Sequence, residues 1–240
     1  SEAVSPAVEP SASPVAPAPA SSWSAPPPPD EAVPAPPPEP VAPAPFPWPT
    51  RPLPEASRLR GAFRSAAGGW AIFTVEGVFT DAPPPTASPV DWDRHRAAGH
   101  RVAVYVRSGE AVTMSEPGGA ETAHTVVRDG ANAVVIDGAP HGRADWDLGG
   151  RAFGGAWRSP DGAILTLSAD GAARWSAPAS PTRGAGIDRA GTYTLGVGAI
   201  AFGWADGAAE TWPLLSDLKP SSRRPATVWL RGEQWQLVGG

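Results

Sequence analysis

Between residues 152 and 240 the chain repeats one device, a short apolar run closed by a turn that contains Gly. Ala163-Ile164-Leu165-Thr166-Leu167 stops at Asp170-Gly171, and Ala199-Ile200-Ala201-Phe202-Gly203-Trp204 stops at Asp206-Gly207. Thr227-Val228-Trp229-Leu230 turns at Arg231-Gly232 into Gln234-Trp235-Gln236-Leu237-Val238. Asp-Gly between β-prone runs is a hairpin signal, because the central turn positions favour a positive φ. Strands at about ten-residue spacing joined by tight turns read as an antiparallel meander that closes into a small barrel or a sandwich.

The device occurs twice. Leu59-Arg60-Gly61-Ala62-Phe63-Arg64-Ser65 matches Phe153-Gly154-Gly155-Ala156-Trp157-Arg158-Ser159 at an offset of 94. In the middle the offset is 88, where Tyr105 meets Tyr193, Val112 meets Ile200 and Met114 meets Phe202. It returns to 94 where Val134-Val135-Ile136-Asp137-Gly138 meets Val228-Trp229-Leu230-Arg231-Gly232. The six-residue excess falls at 80–100, which reads as a polar exposed loop, and length differences confined to loops are what a duplicated β unit produces. The expected fold is all-β: two tandem antiparallel meander repeats, each forming its own small barrel, with one shared barrel or sandwich as the alternative. The expected divisions are 1–57, 58–148 and 152–240. Val102-Ala103-Val104-Tyr105-Val106, apolar at every position, is expected to be covered on both faces.

Residues 1–57 differ in kind. They hold 20 of the 32 Pro, and the first Gly is Gly61. Such a segment forms neither helix nor central strand and favours extended polyproline II. A solvated spacer has no use for Trp23, Phe46 and Trp48, so these three are candidate anchors for a protein partner. A segment without a core does not order itself, so an ordered head is expected to be held by another chain.

The net charge is -5, with no basic cluster, which argues against nucleic acid. No apolar run approaches the length of a membrane-spanning helix. There is no Cys, hence no disulfide framework. The chain opens at Ser1, which fits a trimmed Met or a removed signal peptide, and the Pro/Ala head resembles envelope spacers. An extracytoplasmic location, periplasm or cell surface, is the expectation.

Gly155-Ala156-Trp157-Arg158, Asp170-Gly171, Gly191-Thr192-Tyr193 and Asp206-Gly207 together form a pattern that resembles the lipocalin-like β-barrels of uncharacterised bacterial proteins. The first copy keeps Gly61-Ala62-Phe63-Arg64, Glu76-Gly77 and Tyr105 but lacks the Gly-Thr-Tyr. The resemblance implies a barrel and, by family habit, a small apolar ligand. It transfers no binding residue.

Motifs for chemistry are sparse. His95 and His100 share the 80–100 loop with Asp91, Asp93 and Arg94, but no nucleophile motif accompanies them. Asp91-Trp92-Asp93 recurs as Asp145-Trp146-Asp147. Each triplet offers too few oxygens for a hard cation, and reads as a Trp closing a barrel end between solvated acids. His124 is expected on a strand and His141 in a turn, each as a surface or hydrogen-bonded residue. No metal, cofactor or catalytic residue is expected, and the chain reads as non-enzymatic.

The aromatics carry more. The second copy holds Trp157, Trp175, Trp204, Trp212, Trp229 and Trp235, whereas the strands of the first hold only Trp70. As core they fill one face of each strand. As a site, Trp175, Trp204, Trp212, Trp229 and Trp235 line a cavity or an outward patch for a ligand or partner. Two functions follow. One is an accessory or structural subunit of a larger assembly, docking through its arm and an aromatic β surface. The other is a lipocalin-like binder of a small ligand.

Overall fold

The computed structural model describes residues 46–87, 89–146, 153–181, 184–216 and 225–238. Two eight-stranded antiparallel sheets each close into a barrel. Barrel A comprises β1 (Gly61–Ser65), β2 (Trp70–Phe73), β3 (Val78–Thr80), β4 (Val102–Ser108), β5 (Ala111–Ser115), β6 (Glu121–Asp129), β7 (Ala133–Ile136) and β8 (Ala139–Arg143). Barrel B comprises β9 (Gly155–Arg158), β10 (Ile164–Leu167), β11 (Ala172–Ala177), β12 (Ile187–Gly196), β13 (Ala199–Trp204), β14 (Ala209–Leu215), β15 (Thr227–Leu230) and β16 (Glu233–Val238). Closure comes from β1 on β8 and from β16 on β9, and every neighbour in between is the next strand in sequence. Two separate barrels, not one shared sheet, are therefore what the strand pattern encodes.

Equivalent turns are built from equivalent hydrogen bonds. The Gly77 N–H donates to Thr74 O at 3.3 Å, and the Gly171 N–H to Ser168 O at 3.0 Å. Across the next strand, the Tyr105 N–H donates to Gly77 O and the Tyr193 N–H to Gly171 O, both at 2.8 Å. Asp137 and Arg231, the turn residues of the β7–β8 and β15–β16 hairpins, are the only non-Gly positions with positive φ among the described residues, at 49° and 53°. The Gly that follows each completes a two-residue turn of the kind that matches strand twist.

Alternation then fills the two interiors. Leu59, Phe63, Phe73, Phe79, Tyr105, Val112, Met114, Val126 and Val134 form the core of A. Trp157, Leu165, Trp175, Ile200, Phe202, Trp204, Trp212, Leu214, Val228 and Trp235 form most of that of B. Phe202 stacks on Trp204 with centroids 4.8 Å apart and meets Trp212 at 4.7 Å. Phe63, Phe73, Leu165, Leu167, Ile200, Phe202 and Leu230 are buried, and Tyr193 is half-buried on B where Tyr105 is fully enclosed in A.

Three expectations change. β4 is not covered on both faces: Val106 is 63% exposed, because β4 outruns β3 and leaves its far end open on the outer face. The 80–100 segment is not all loop, since Asp91 caps a helix, α1 (Trp92–Ala97), by accepting the Arg94 N–H. His141 belongs to β8 and not to a turn. No helix among the described residues is long and apolar enough to cross a membrane.

Candidate binding cleft

The barrels meet along a seam. Ala62 and Ile72 of A, Ala144 beyond β8, and Leu215 and Trp229 of B form a small apolar cluster there, with Trp70 against it. Trp70 and Trp229 meet edge to face, centroids 4.9 Å apart, and the Arg64 guanidinium lies 4.3 Å from the Trp229 ring. Backbone bonds stitch the seam: Ala144 N–H to Ala62 O at 2.8 Å, and Ser216 N–H to Ala144 O at 2.9 Å. Two turns of B approach A through glycine. A Cβ on Gly198 would stand 3.3 Å from Asp145 Cβ, and one on Gly232 would stand 2.8 Å from Pro83 O. Both have positive φ, so the turn and the close approach demand Gly together.

Beside this cluster opens a cleft of about 670 Å³. Ala62, Ile72 and Leu215 are buried where they reach it. Val197, Gly198 and Pro213 line it from B, and Val90 and Trp92 from the 80–100 segment of A. Trp48, Pro49 and Thr50 of the arm line it as well. The Trp48 indole N–H donates to Asp93 Oδ1 at 3.0 Å, and Phe46 packs on Trp48 at 4.6 Å. Further along, the Leu53 N–H donates to Val75 O at 2.8 Å, and the Leu59 N–H to the Tyr105 hydroxyl at 3.0 Å. The stretch from 46 to 59 is thus held by barrel A of the same chain. Trp23 lies outside the described residues.

Four carboxylates, Glu76, Asp91, Asp93 and Asp145, line the cleft against one guanidinium, that of Arg60. Asp145 is buried, not solvated as its triplet suggested, because β8 carries it under the seam. Burial pushes its carboxyl above the usual range, although Arg143, donating through Nε to Oδ1 at 2.9 Å, pulls it down. Asp147 lies outside the described residues. Trp92 lines the cleft and Trp146 packs against the core of B, so only the second closes a barrel.

The five Trp singled out in B make no outward patch. Trp175, Trp204, Trp212 and Trp235 belong to the interior of B and Trp229 to the seam. At one margin of the interior, Arg189 lies 4.7 Å from the Trp204 ring and Arg231 lies 5.1 Å from Trp212. Arg189 also pairs with Asp206 and Glu210, and the Trp212 indole N–H donates to Glu210 at 2.8 Å. Among the described residues, the buried indole N–H groups of Trp157, Trp175, Trp204 and Trp235 have no hydrogen-bond partner.

Two histidine clusters stand apart from the cleft wall. His95, at the inner side of α1, lies 3.1 Å from Thr80 Oγ1 and 3.3 Å from Ala82 O, with the His100 ring 4.5 Å away. Its pKa is lowered, first by burial and then by His100. On the outer face of β6, His124 Nδ1 lies 2.6 Å from Asp137 Oδ2 and Nε2 lies 3.2 Å from Thr122 Oγ1. This hydroxyl–imidazole–carboxylate series is the nearest approach to a catalytic arrangement. Thr122 and Asp137 are exposed, and the Arg101 guanidinium already donates to the Thr122 oxygen at 2.8 Å. Its constituents fit a solvated surface network. No three His, Asp or Glu side chains converge as metal ligands among the described residues.

Sequence reasoning missed Ile72, Leu215, Val197 and Glu76 as cleft residues. Nothing local marks them, because the cleft exists only once the barrels pack. No family model matches this chain, and neither a curated protein nor a solved structure does.

Proposed function

We propose that this chain is a non-enzymatic docking protein, an accessory or structural subunit that binds a protein partner in the cleft between its barrels. One observation carries the reading: both barrel interiors are occupied by side chains, whereas a cleft of about 670 Å³ lies outside them with the arm along one wall. Trp48 and the apolar seam supply rigid aromatic and aliphatic area of the sort that anchors interfaces. Trp48 acts as an anchor in this wall with Phe46 packed on it, and the composition of the head favours an assembly in the cell envelope.

The test is site-specific crosslinking in the native cell. A photoreactive residue at Val197, in the cleft, is compared with one at Val106, on the outer face of β4. The expected result is a discrete protein adduct from Val197 alone. The same adducts from both positions, or none from Val197, would refute cleft docking.

A second reading has one observation in its favour. The unpartnered indole N–H groups inside barrel B would be satisfied by a small acceptor-bearing ligand held there, as the resemblance to lipocalin-like barrels implies.

A further inference from the structure

We propose that the cleft receives a basic, extended segment of the partner, with an Arg or Lys side chain directed at Asp145 and Glu76 and an apolar neighbour on Ile72 and Leu215. This rests on the docking reading above. Charge decides the occupant. The walls are largely apolar, yet their ionisable groups are four carboxylates and one guanidinium. Cation and carboxylate attract more strongly in such a half-enclosed, partly desolvated place than in open water.

The chain's own head is the wrong occupant. Residues 1–50 contain no Lys or Arg and carry Glu2, Glu9, Asp30, Glu31 and Glu39. Like charge in a narrow cleft opposes entry, so the head is not the complementary segment. The shape also favours a chain. The arm already lines one wall at Trp48, Pro49 and Thr50, and an incoming extended backbone would lie beside it. Asp145 adds a reason for positive charge specifically. Burial holds its carboxyl above the usual range even though Arg143 already pairs with it, and a second cation arriving from the cleft would offset more of that cost.

The experiment uses the full chain and a fluorescent octapeptide in which Arg alternates with Leu and Pro, read by anisotropy. A citrulline copy keeps shape and removes charge. The Arg peptide is expected to bind at least about tenfold more tightly than the citrulline copy and to weaken as salt rises. Glu76→Gln, on a half-exposed turn residue, should weaken it several-fold. Asp145→Asn, checked for folding by thermal melting, should weaken it further. Equal binding of the two peptides, or no loss in Glu76→Gln, overturns the proposal. Displacement of the peptide by millimolar spermidine also overturns it, since the site would then be one for small amines. If Val197 still crosslinks a protein while the Arg peptide does not bind, the cationic occupant falls and cleft docking stands. If the peptide binds and Val197 captures nothing, the docking reading falls instead.

Discussion

Barrels A and B share strand order, turn bonds and positive-φ positions, yet their interiors are filled differently. Where A places Phe63, Met114 and Val126, B places Trp157, Phe202 and Leu214. A encloses Tyr105 completely, while B leaves Tyr193 half in water. The lesson is that the turns define the barrel and the filling is exchangeable, provided the volume is met. A second difference lies outside the sheets. Among the described residues only A carries the arm and the α1 segment, and both contribute to the cleft. The shared part of the repeat therefore makes the scaffold, and the unshared part makes the candidate site.

The sharpest way to break this comparison is to empty equivalent positions. Phe202→Ala removes a ring stacked on Trp204 and packed on Trp212, and should cost about 3–5 kcal/mol in denaturant unfolding. Met114→Ala in A should cost about 2–4 kcal/mol, since no aromatic stack is lost. A loss below about 1 kcal/mol for Phe202→Ala would place its ring against ligand space and undo the filled-barrel account.

The tyrosines sharpen the comparison at lower cost. The Tyr105 hydroxyl accepts the Leu59 N–H and faces the carbonyls of Leu59 at 2.9 Å and Thr74 at 3.0 Å. Tyr105→Phe strands a buried N–H and should cost about 1–3 kcal/mol. The Tyr193 hydroxyl donates only to Ser168 O at 2.9 Å, near water, so Tyr193→Phe should cost about 0.5–1 kcal/mol. Equal losses would mean that the two repeats bury this position alike.

The smallest effect is one that B cannot show, because among the described residues it has no counterpart of α1. Burial and the neighbouring His100 hold the folded pKa of His95 below the usual histidine value of about 6.5, so the unfolded chain takes up the proton first. Its contribution to stability is whole above about 6.5 and is lost as pH falls toward the folded value. The slope there is at most about 1.4 kcal/mol per pH unit for one proton. His95→Gln should flatten that part of the pH–stability curve, and an unchanged curve would remove His95 as its cause.

The barrels were legible because their signals are local. Asp170-Gly171 and Arg231-Gly232 mark turns wherever the chain goes, and alternation assigns Leu165 or Val228 to one face. The repeat was legible for the same reason. The cleft was not, because Ile72 and Leu215 are ordinary strand residues until the two barrels meet. The burial of Asp145 was hidden too: its triplet matches Asp91-Trp92-Asp93, and the packing of the seam, with Gly198 close against Asp145, separates the two. α1 was missed because the segment is short and polar, with a helix signal limited to the Asp91 cap.

The central claim is that binding occurs between the barrels and not inside them. Full-length protein labelled with 5-fluorotryptophan, its ¹⁹F resonances assigned by single Trp→Phe variants, tests this directly during titration with the arginine-bearing peptide. Trp48 and Trp92 line the cleft, whereas Trp175, Trp204 and Trp235 lie within barrel B. The account predicts saturable shifts at Trp48 and Trp92 with the interior resonances unmoved. Shifts at Trp175, Trp204 and Trp235 with none at Trp48 and Trp92 would contradict it and place the site inside the barrel.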